Sequence, residues 1–423
     1  MRALEEELEA TRIGGNQHRR GRRDPAPDVA AMVSGRVLCA GISCLDLQLC
    51  GSGGGEGGVE TIRKFEETKY CPGGSCPQAS TALARIGVPV VAVTKMGMDA
   101  HGDEMIRQAG GERCSCMLAA GVDCSRVIRD PSVQTALAVL PIFSSGERGC
   151  FVNLAANDHL LAGEVTAALI DVAAMDGTPL AAFHYGYPHF TKQARLLGAC
   201  SIQGQALADV LRLPRHLPGS PLVSLDLNGV DPGNDAITRH AAVLGKALPW
   251  VDILHANLEE AEAIVGPLET TDGDGDDADD RFRVLAQWFL EKGVAVVTIT
   301  AGARGSFTAV TSDAERLAAS PGLERQVSAW AGREVRAAAF AVGEGAAVNA
   351  NGAGDAFIGG LVLAAAAWRE SLTLEEGVRF AALAALQRVD ENLREAEDKS
   401  NAAELMAVAR AGGDGLPPTL PLS

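Results

Sequence analysis

Nowhere does the sequence hold about 18 apolar residues in succession, the length a helix needs to cross a membrane. Its opening, MRALEEELEATRIGG, mixes acids with apolar groups instead of leading a charged cap into a hydrophobic core, so no secretory signal is expected. These two absences point to a soluble intracellular chain, cytoplasmic or organellar. The ten cysteines stop at Cys200 and never stand in CxxC spacing, which fits neither a disulfide framework nor a zinc site. Ser, His and Asp in nucleophile-elbow spacing are missing as well, so hydrolase chemistry of that type falls away. Basic charge is scarce: the net charge is −17, and the one basic run, HRRGRR from His18 to Arg23, reads as a solvated tail. Nucleic acid and membrane are therefore not expected as partners. Phosphate is not excluded by acidity, because helix starts hold it with backbone N–H groups.

What is present suffices for a large core: 423 residues, 47% hydrophobic and 22% charged. RVLCAGISCLDLQL, from Arg36, reads as a strand, a turn and a second strand, with Asp46 placed at the turn. GSGGGEGG, Gly51 to Gly58, reads as a flexible loop, and CPGGSCPQASTALARIG as a glycine pair leading a helix that ends at Gly87. VPVVAVTKMG gives a buried strand, and the stretch from Thr135 to Leu154 a hairpin across SSGERG. PLAAFHYG, PLVSLDLN, VDILHAN and VAVVTIT are then short apolar strands separated by helical stretches near 192–211, 235–248 and 280–292. Such alternation predicts a parallel sheet with helices on both faces, its site at the carboxyl ends of the strands. The acidic run TTDGDGDDADD, Thr270 to Asp280, lacks the Gly and Glu of a calcium loop at its sixth and twelfth positions and reads as a solvated loop. The last third reads as three helices, and no internal repeat is present. The domain plan is a tail over 1–35, one domain over 36–417 with an acidic loop near 270–280, and a tail over 418–423.

VNANGAGDAFIGG, Val348 to Gly360, sets Gly352, Ala353 and Gly354 before an apolar helix. The first N–H groups of a helix have no partner within it, and the dipole adds about half a positive charge, so an anion belongs there. Asp355 in the first turn places a carboxylate beside that hole, able to take a proton from an incoming hydroxyl while the helix start holds a transferred phosphoryl group. Simple stabilisation of the helix start by Asp355 over a tight glycine turn would look the same.

NGAGDAF, GGSCPQASTALARIG, MGMDAHGDEM, DLN at 226–228, NLEEAEAI at 257–264, TAGARGSF at 300–307 and the late GDGLP together resemble, in order, the signatures of ribokinase-like (PfkB type) carbohydrate kinases, over about Val37 to Leu416. The resemblance implies an α/β fold of three layers, α/β/α, with a mostly parallel central sheet and a small β-sheet lid over the sugar pocket, its lid segments near 46–70 and 135–154. It implies ATP and Mg2+ as cofactors and a sugar or nucleoside as substrate. Asp355 would be the general base, with Gly352, Ala353 and Gly354 as anion hole. Asp46, Gly73, Gly74 and Gln78 would bind substrate. Asn228, Asn257, Glu260, Thr300, Gly302 and Gly305 would serve ATP, Asn257 and Glu260 organising magnesium through water. A helix-capping pair would give the same Asn257 and Glu260 pattern, and a plain hairpin the same Thr300 to Gly305 turn.

The chain departs from that family at several positions. Asn349 and Ala350 stand where an Asp and a hydroxyl residue help to hold a monovalent cation, which puts potassium in doubt. Gln78 replaces an Asn on the substrate helix, and FHYGYPHF has no acidic residue at the place that contacts ribose in ribokinases. His184 and His189, near Tyr185 and Tyr187, follow a strand and fit either a pocket wall or a structural role. A kinase-shaped regulatory or interaction protein is the rival reading. Lid edges can pair two copies into a homodimer, although GSGGGEGG beside the lid can equally shield an edge.

Overall fold

A computed structural model describes residues 33–52, 64–107, 117–143, 149–190, 205–228, 243–266, 278–340, 350–368, 371–389, 401–411 and 419–422. The basic run, Asn349, most of the glycine-rich and acidic segments and GDGLP lie outside the described residues.

The strands are β1 Arg36–Gly41, β2 Cys44–Ser52, β3 Glu67–Gly73, β4 Val90–Val93, β5 Lys95–Gly97, β6 Ile128–Asp130, β7 Leu137–Phe143, β8 Phe151–Asn153, β9 Leu180–Gly186, β10 Leu222–Asp226, β11 Ile253–Asn257, β12 Val296–Thr300, β13 Ser306–Val310, β14 Glu334–Ala337 and β15 Thr419–Leu422. The main helices are α1 Ser75–Arg85, α2 Ala100–Ile106, α3 Ala162–Ala173, α4 Gln205–Arg212, α5 Leu258–Val265, α6 Ala278–Glu291, α7 Ala353–Val362, α8 Leu374–Val389 and α9 Ala402–Ala411. Short helical turns lie between β13 and β14.

A nine-stranded sheet has the order β15-β14-β13-β12-β11-β10-β9-β1-β4. From β12 to β4 all neighbours are parallel, while β13, β14 and β15 add antiparallel strands at one edge. The four described residues of the expected C-terminal tail, Thr419 to Leu422, thus form an edge strand against β14. Val33, expected in the N-terminal tail, bridges to Trp368 and is buried.

Both faces of the parallel strands are covered, and the period of two along each strand shows it. In β1, Val37 and Cys39 enter the apolar layer under α1, α7, α8 and α9, while Leu38 and Ala40 enter the layer under α3 to α6. Each fully buried Leu, Val or Phe stabilises these layers by about 1.5–3 kcal/mol. This is the three-layer α/β/α architecture that the sequence suggests.

A second sheet of order β3-β2-β7-β8 forms the lid. Its central pair β2–β7 is parallel and its outer pairs are antiparallel. The chain passes from core sheet to lid through Ile42 and Ser43, and Asn157 holds that crossing. Its amide donates to Ser43 O (2.8 Å), and its carbonyl accepts from Ser43 N (2.9 Å). Asp46, expected at the turn, is the third residue of β2, because the turn is only Ile42 and Ser43 and the strand begins at Cys44. No helix of the described residues is long and apolar enough to cross a membrane, and no disulfide joins the described cysteines.

Candidate functional site

Helix α7 is capped by Gly352, whose φ of 80° lies in the left-handed region. A β-carbon there would fall 2.4 Å from Gln78 Oε1 and 3.0 Å from Arg388 Nε, so the position demands glycine both for conformation and for space. Ala353 N–H is taken by Ala350 O at 3.1 Å; among the described residues no backbone oxygen takes the N–H of Gly354 or Asp355. Two of the three first amides of α7 thus remain available at the positive end of the helix.

Asp355, in the first turn, is buried. Oδ2 accepts a hydrogen bond from Tyr187 Oη at 2.9 Å, and Oδ1 has no partner among the described residues. Burial and the neighbouring Asp226 charge hold its carboxyl well above the usual range; the Tyr187 hydrogen bond, His255 and Arg388 pull the other way. A buried carboxylate with one unclaimed oxygen is suited to accept a proton.

The lid side reaches the same place. Asp46, buried on β2, accepts from Asn351 Nδ2 (2.7 Å), one residue before Gly352, and from Cys44 Sγ (3.2 Å). Its carboxylate lies flat over Gly73, where a β-carbon would come 2.0 Å from Asp46 Oδ1. Gly74, with φ 82°, caps α1 and packs against the Ile42–Ser43 crossing. Gln78 on α1 is buried with both ends of its amide engaged: Nε2 donates to Pro72 O (2.8 Å), and Oε1 accepts from Arg388 Nε (3.1 Å) and Nη2 (2.9 Å).

The third wall comes from the carboxyl ends of β10, β11 and β12. Asp226 closes β10, and its Oδ1 meets His255 Nδ1 at 2.6 Å across the parallel register. His255 Nε2 lies 3.0 Å from Thr300 Oγ1 at the end of β12, and the imidazole stacks on Phe357. A β-carbon on Gly354 would sit 2.9 Å from His255 Cε1, so α7 begins directly against this ring. Burial works against charge on His255, but Asp226, by charge and hydrogen bond, raises its pKa. Asn228 follows β10, and its side chain hydrogen-bonds Tyr187.

Asn257 and Glu260 form a capping box on α5: Glu260 N donates to Asn257 Oδ1 and Asn257 N to Glu260 Oε2, both at 2.9 Å. Burial, with the Asp226 charge behind it, pushes the Glu260 carboxyl up to about 8. Gly302 and Gly305 belong to the tight turn joining β12 to β13, an antiparallel hairpin. The capping pair and the hairpin that sequence left open are both present, placed at the edge where a strand-end site belongs.

Of the two histidines for which a pocket wall and a structural role were both open, His184 is buried against Ser224 Oγ at 3.1 Å, and burial lowers its pKa to about 4. It is a core group. His189 is also buried. Tyr187, Asp226, His255, Asn351 and Arg388 were not singled out from sequence as site residues. A signal existed for two of them: β10, β11 and β12 each carry a polar residue near the end of an apolar run, Asp226, His255 and Thr300.

Residues 225–398 match the family model described as pfkB family carbohydrate kinase. No curated protein sequence matches the chain. Among solved structures, the ribokinase of Arabidopsis thaliana complexed with ribose and ATP is 17% identical, with a TM-score of 0.57 over 89% of this chain and 99% of that one. The ribokinase of Giardia lamblia is 18% identical, with a TM-score of 0.59 over 89% and 100%. A PfkB protein from Polaromonas sp. JS666 is 19% identical, with a TM-score of 0.56 over 88% and 100%. Strand ends, lid and family segment converge: residues 225–398 are similar to the pfkB carbohydrate kinase family, and the described chain has the fold of the ribokinases.

Proposed function

We propose that the chain is an ATP-dependent kinase that phosphorylates a hydroxyl of a sugar or nucleoside, with Asp355 as general base. The observation that carries this reading is the junction at Gly352. There a helix start with two unclaimed amides, a buried carboxylate with an unpartnered Oδ1 and the lid carboxylate Asp46 are linked through Asn351 and Gln78. The Arabidopsis ribokinase of the same fold holds ribose and ATP, which supports the same pair of ligand classes here.

In this mechanism Asp46 orients the acceptor beneath the lid, with Gly73, Gly74 and Gln78 shaping the floor. Asp355 Oδ1 takes the proton of the attacking hydroxyl, and the carboxylate becomes a neutral acid. The Gly354 and Asp355 amides, with the helix dipole, stabilise charge on the transferred phosphoryl group. General-base help of this kind supplies about 10² to 10⁴ in rate. Asn228 and Asn257 at strand ends, and Thr300, Gly302 and Gly305 on the β12–β13 turn, form the nucleotide side.

Among the described residues no cluster of three or more His, Cys, Asp or Glu could cage a metal. The buried Glu260, whose pKa is raised to about 8, is the carboxyl that a nearby magnesium ion would return to its charged form. When bound, magnesium neutralises phosphate charge. Asn349 lies outside the described residues, so the monovalent cation expected to be weakened there enters no step. The exposed Tyr70 on β3 and Phe151 on β8, on the two edge strands of the lid, favour edge pairing between copies.

The reading is tested by incubating the full chain with γ-labelled ATP and a panel of sugars and nucleosides. Label in at least one acceptor is the expected result. ATP binding with no labelled acceptor would favour the kinase-shaped scaffold instead.

A further inference from the structure

We infer that Tyr187 is the positioning residue of this site, its hydroxyl locking the Asp355 carboxylate so that Oδ1 alone faces the acceptor. The inference rests on the reading of Asp355 as general base and names the group that makes that base work. A carboxylate with both oxygens unclaimed can turn about its last torsion and present either to a hydroxyl. Here Oδ2 is fixed by the phenol at 2.9 Å and Oδ1 is left bare in a buried setting.

Tyr187 is itself held on several sides. Its backbone N–H donates to Asp226 O at 2.9 Å. Its hydroxyl is hydrogen-bonded by the Asn228 side chain. Its ring meets Phe190 edge to face, centroids 6.4 Å apart. Its backbone has φ 59°, a left-handed conformation that a tyrosine adopts only where surrounding contacts demand it. Only three other non-glycine residues among those described share a positive φ, and none of them reaches Asp355. Strain at the residue that hydrogen-bonds the base is the pattern of a functional constraint.

The charged and titratable groups facing Asp355 are Asp226, which opposes its ionisation, His255, Arg388 and Tyr187, which favour it, and the thiols Cys39 and Cys76, which burial first and the Asp355 charge as well hold in the neutral form. Tyr187 stays protonated, since burial and the Asp355 charge raise its own pKa well above the usual phenol value. Its hydrogen bond therefore favours the charged, proton-accepting form of the base.

The chain has three tyrosines, so carbon-13 labelling at the phenol carbon gives three resonances, and Tyr187→Phe assigns one. Asp355→Asn is expected to move that resonance in the full-length protein. In steady-state kinetics Tyr187→Phe, which keeps the ring, is expected to lower kcat about tenfold, the worth of one lost hydrogen bond to a charged group. The KM for ATP should be unchanged, and the acid limb of the kcat profile should move to higher pH. A resonance that Asp355→Asn leaves unmoved overturns the inference, as does Tyr187→Phe with the parent kcat and acid limb. A wild-type chain that transfers to no acceptor counts against the kinase reading alone, and the resonance then decides the pairing by itself.

Discussion

Glu260 illustrates how single side chains at this site trade stability for function. Its carboxyl is raised to about 8 by burial and by Asp226, so the native state prefers it neutral. A raised folded-state pKa means that the contribution is favourable below the ordinary Glu range and is lost as pH rises toward 8. Glu260→Gln removes the titration and keeps an oxygen for Asn257 N–H. The ligand-free variant should match wild type in thermal unfolding at pH 4 and exceed it at pH 8.5, by an amount of order a few kcal/mol. Equal unfolding profiles across that range would show that Glu260 carries no such penalty. The residue scale is also where sequence was least legible. Asp355 is legible because a glycine turn and a helix start frame it, whereas Asp46 and Gln78 stand out only through the family resemblance. His255 and Arg388 are not legible, because a histidine on an apolar strand and an arginine near the end of a helix look the same whether they face a site or a core.

At the scale of elements, the start of α7 carries most of the argument. Its apolar residues Phe357, Ile358, Leu361 and Val362 are buried against the sheet and α8, which fixes the axis. Fixed in this way, the amides of Gly354 and Asp355 cannot turn aside to suit a new side chain at the cap. Gly352→Ala must strain a left-handed backbone and push a methyl into Gln78 Oε1. The expected cost is about 1–3 kcal/mol in denaturant unfolding, accompanied by loss of phosphoryl transfer as the Gln78–Arg388 contact is displaced. Wild-type stability in this variant would show that the cap is slack. The helices and parallel strands were readable because their apolar periods are unambiguous. The antiparallel edge was not: EVRA and TLPL are four residues each, too short to show a period, and only the pairing of β14 with β13 and of β15 with β14 makes them strands.

At the scale of the whole molecule, the site exists only when distant segments meet. Asn351 reaches Asp46 across 305 positions and Arg388 reaches Gln78 across 310. Alternating strands and helices made the sheet and its active edge predictable, whereas these contacts depend on how α8 and the lid pack, which no local pattern encodes. The central claim is that this assembly brings Asp355 to a substrate hydroxyl. A single-turnover quench with γ-labelled ATP, comparing the full chain with Asp355→Asn, tests it most directly. Wild type should yield labelled acceptor, the variant's rate should fall by about 10² to 10⁴, and both proteins should bind ATP nearly equally. Equal transfer rates from the two proteins would contradict it.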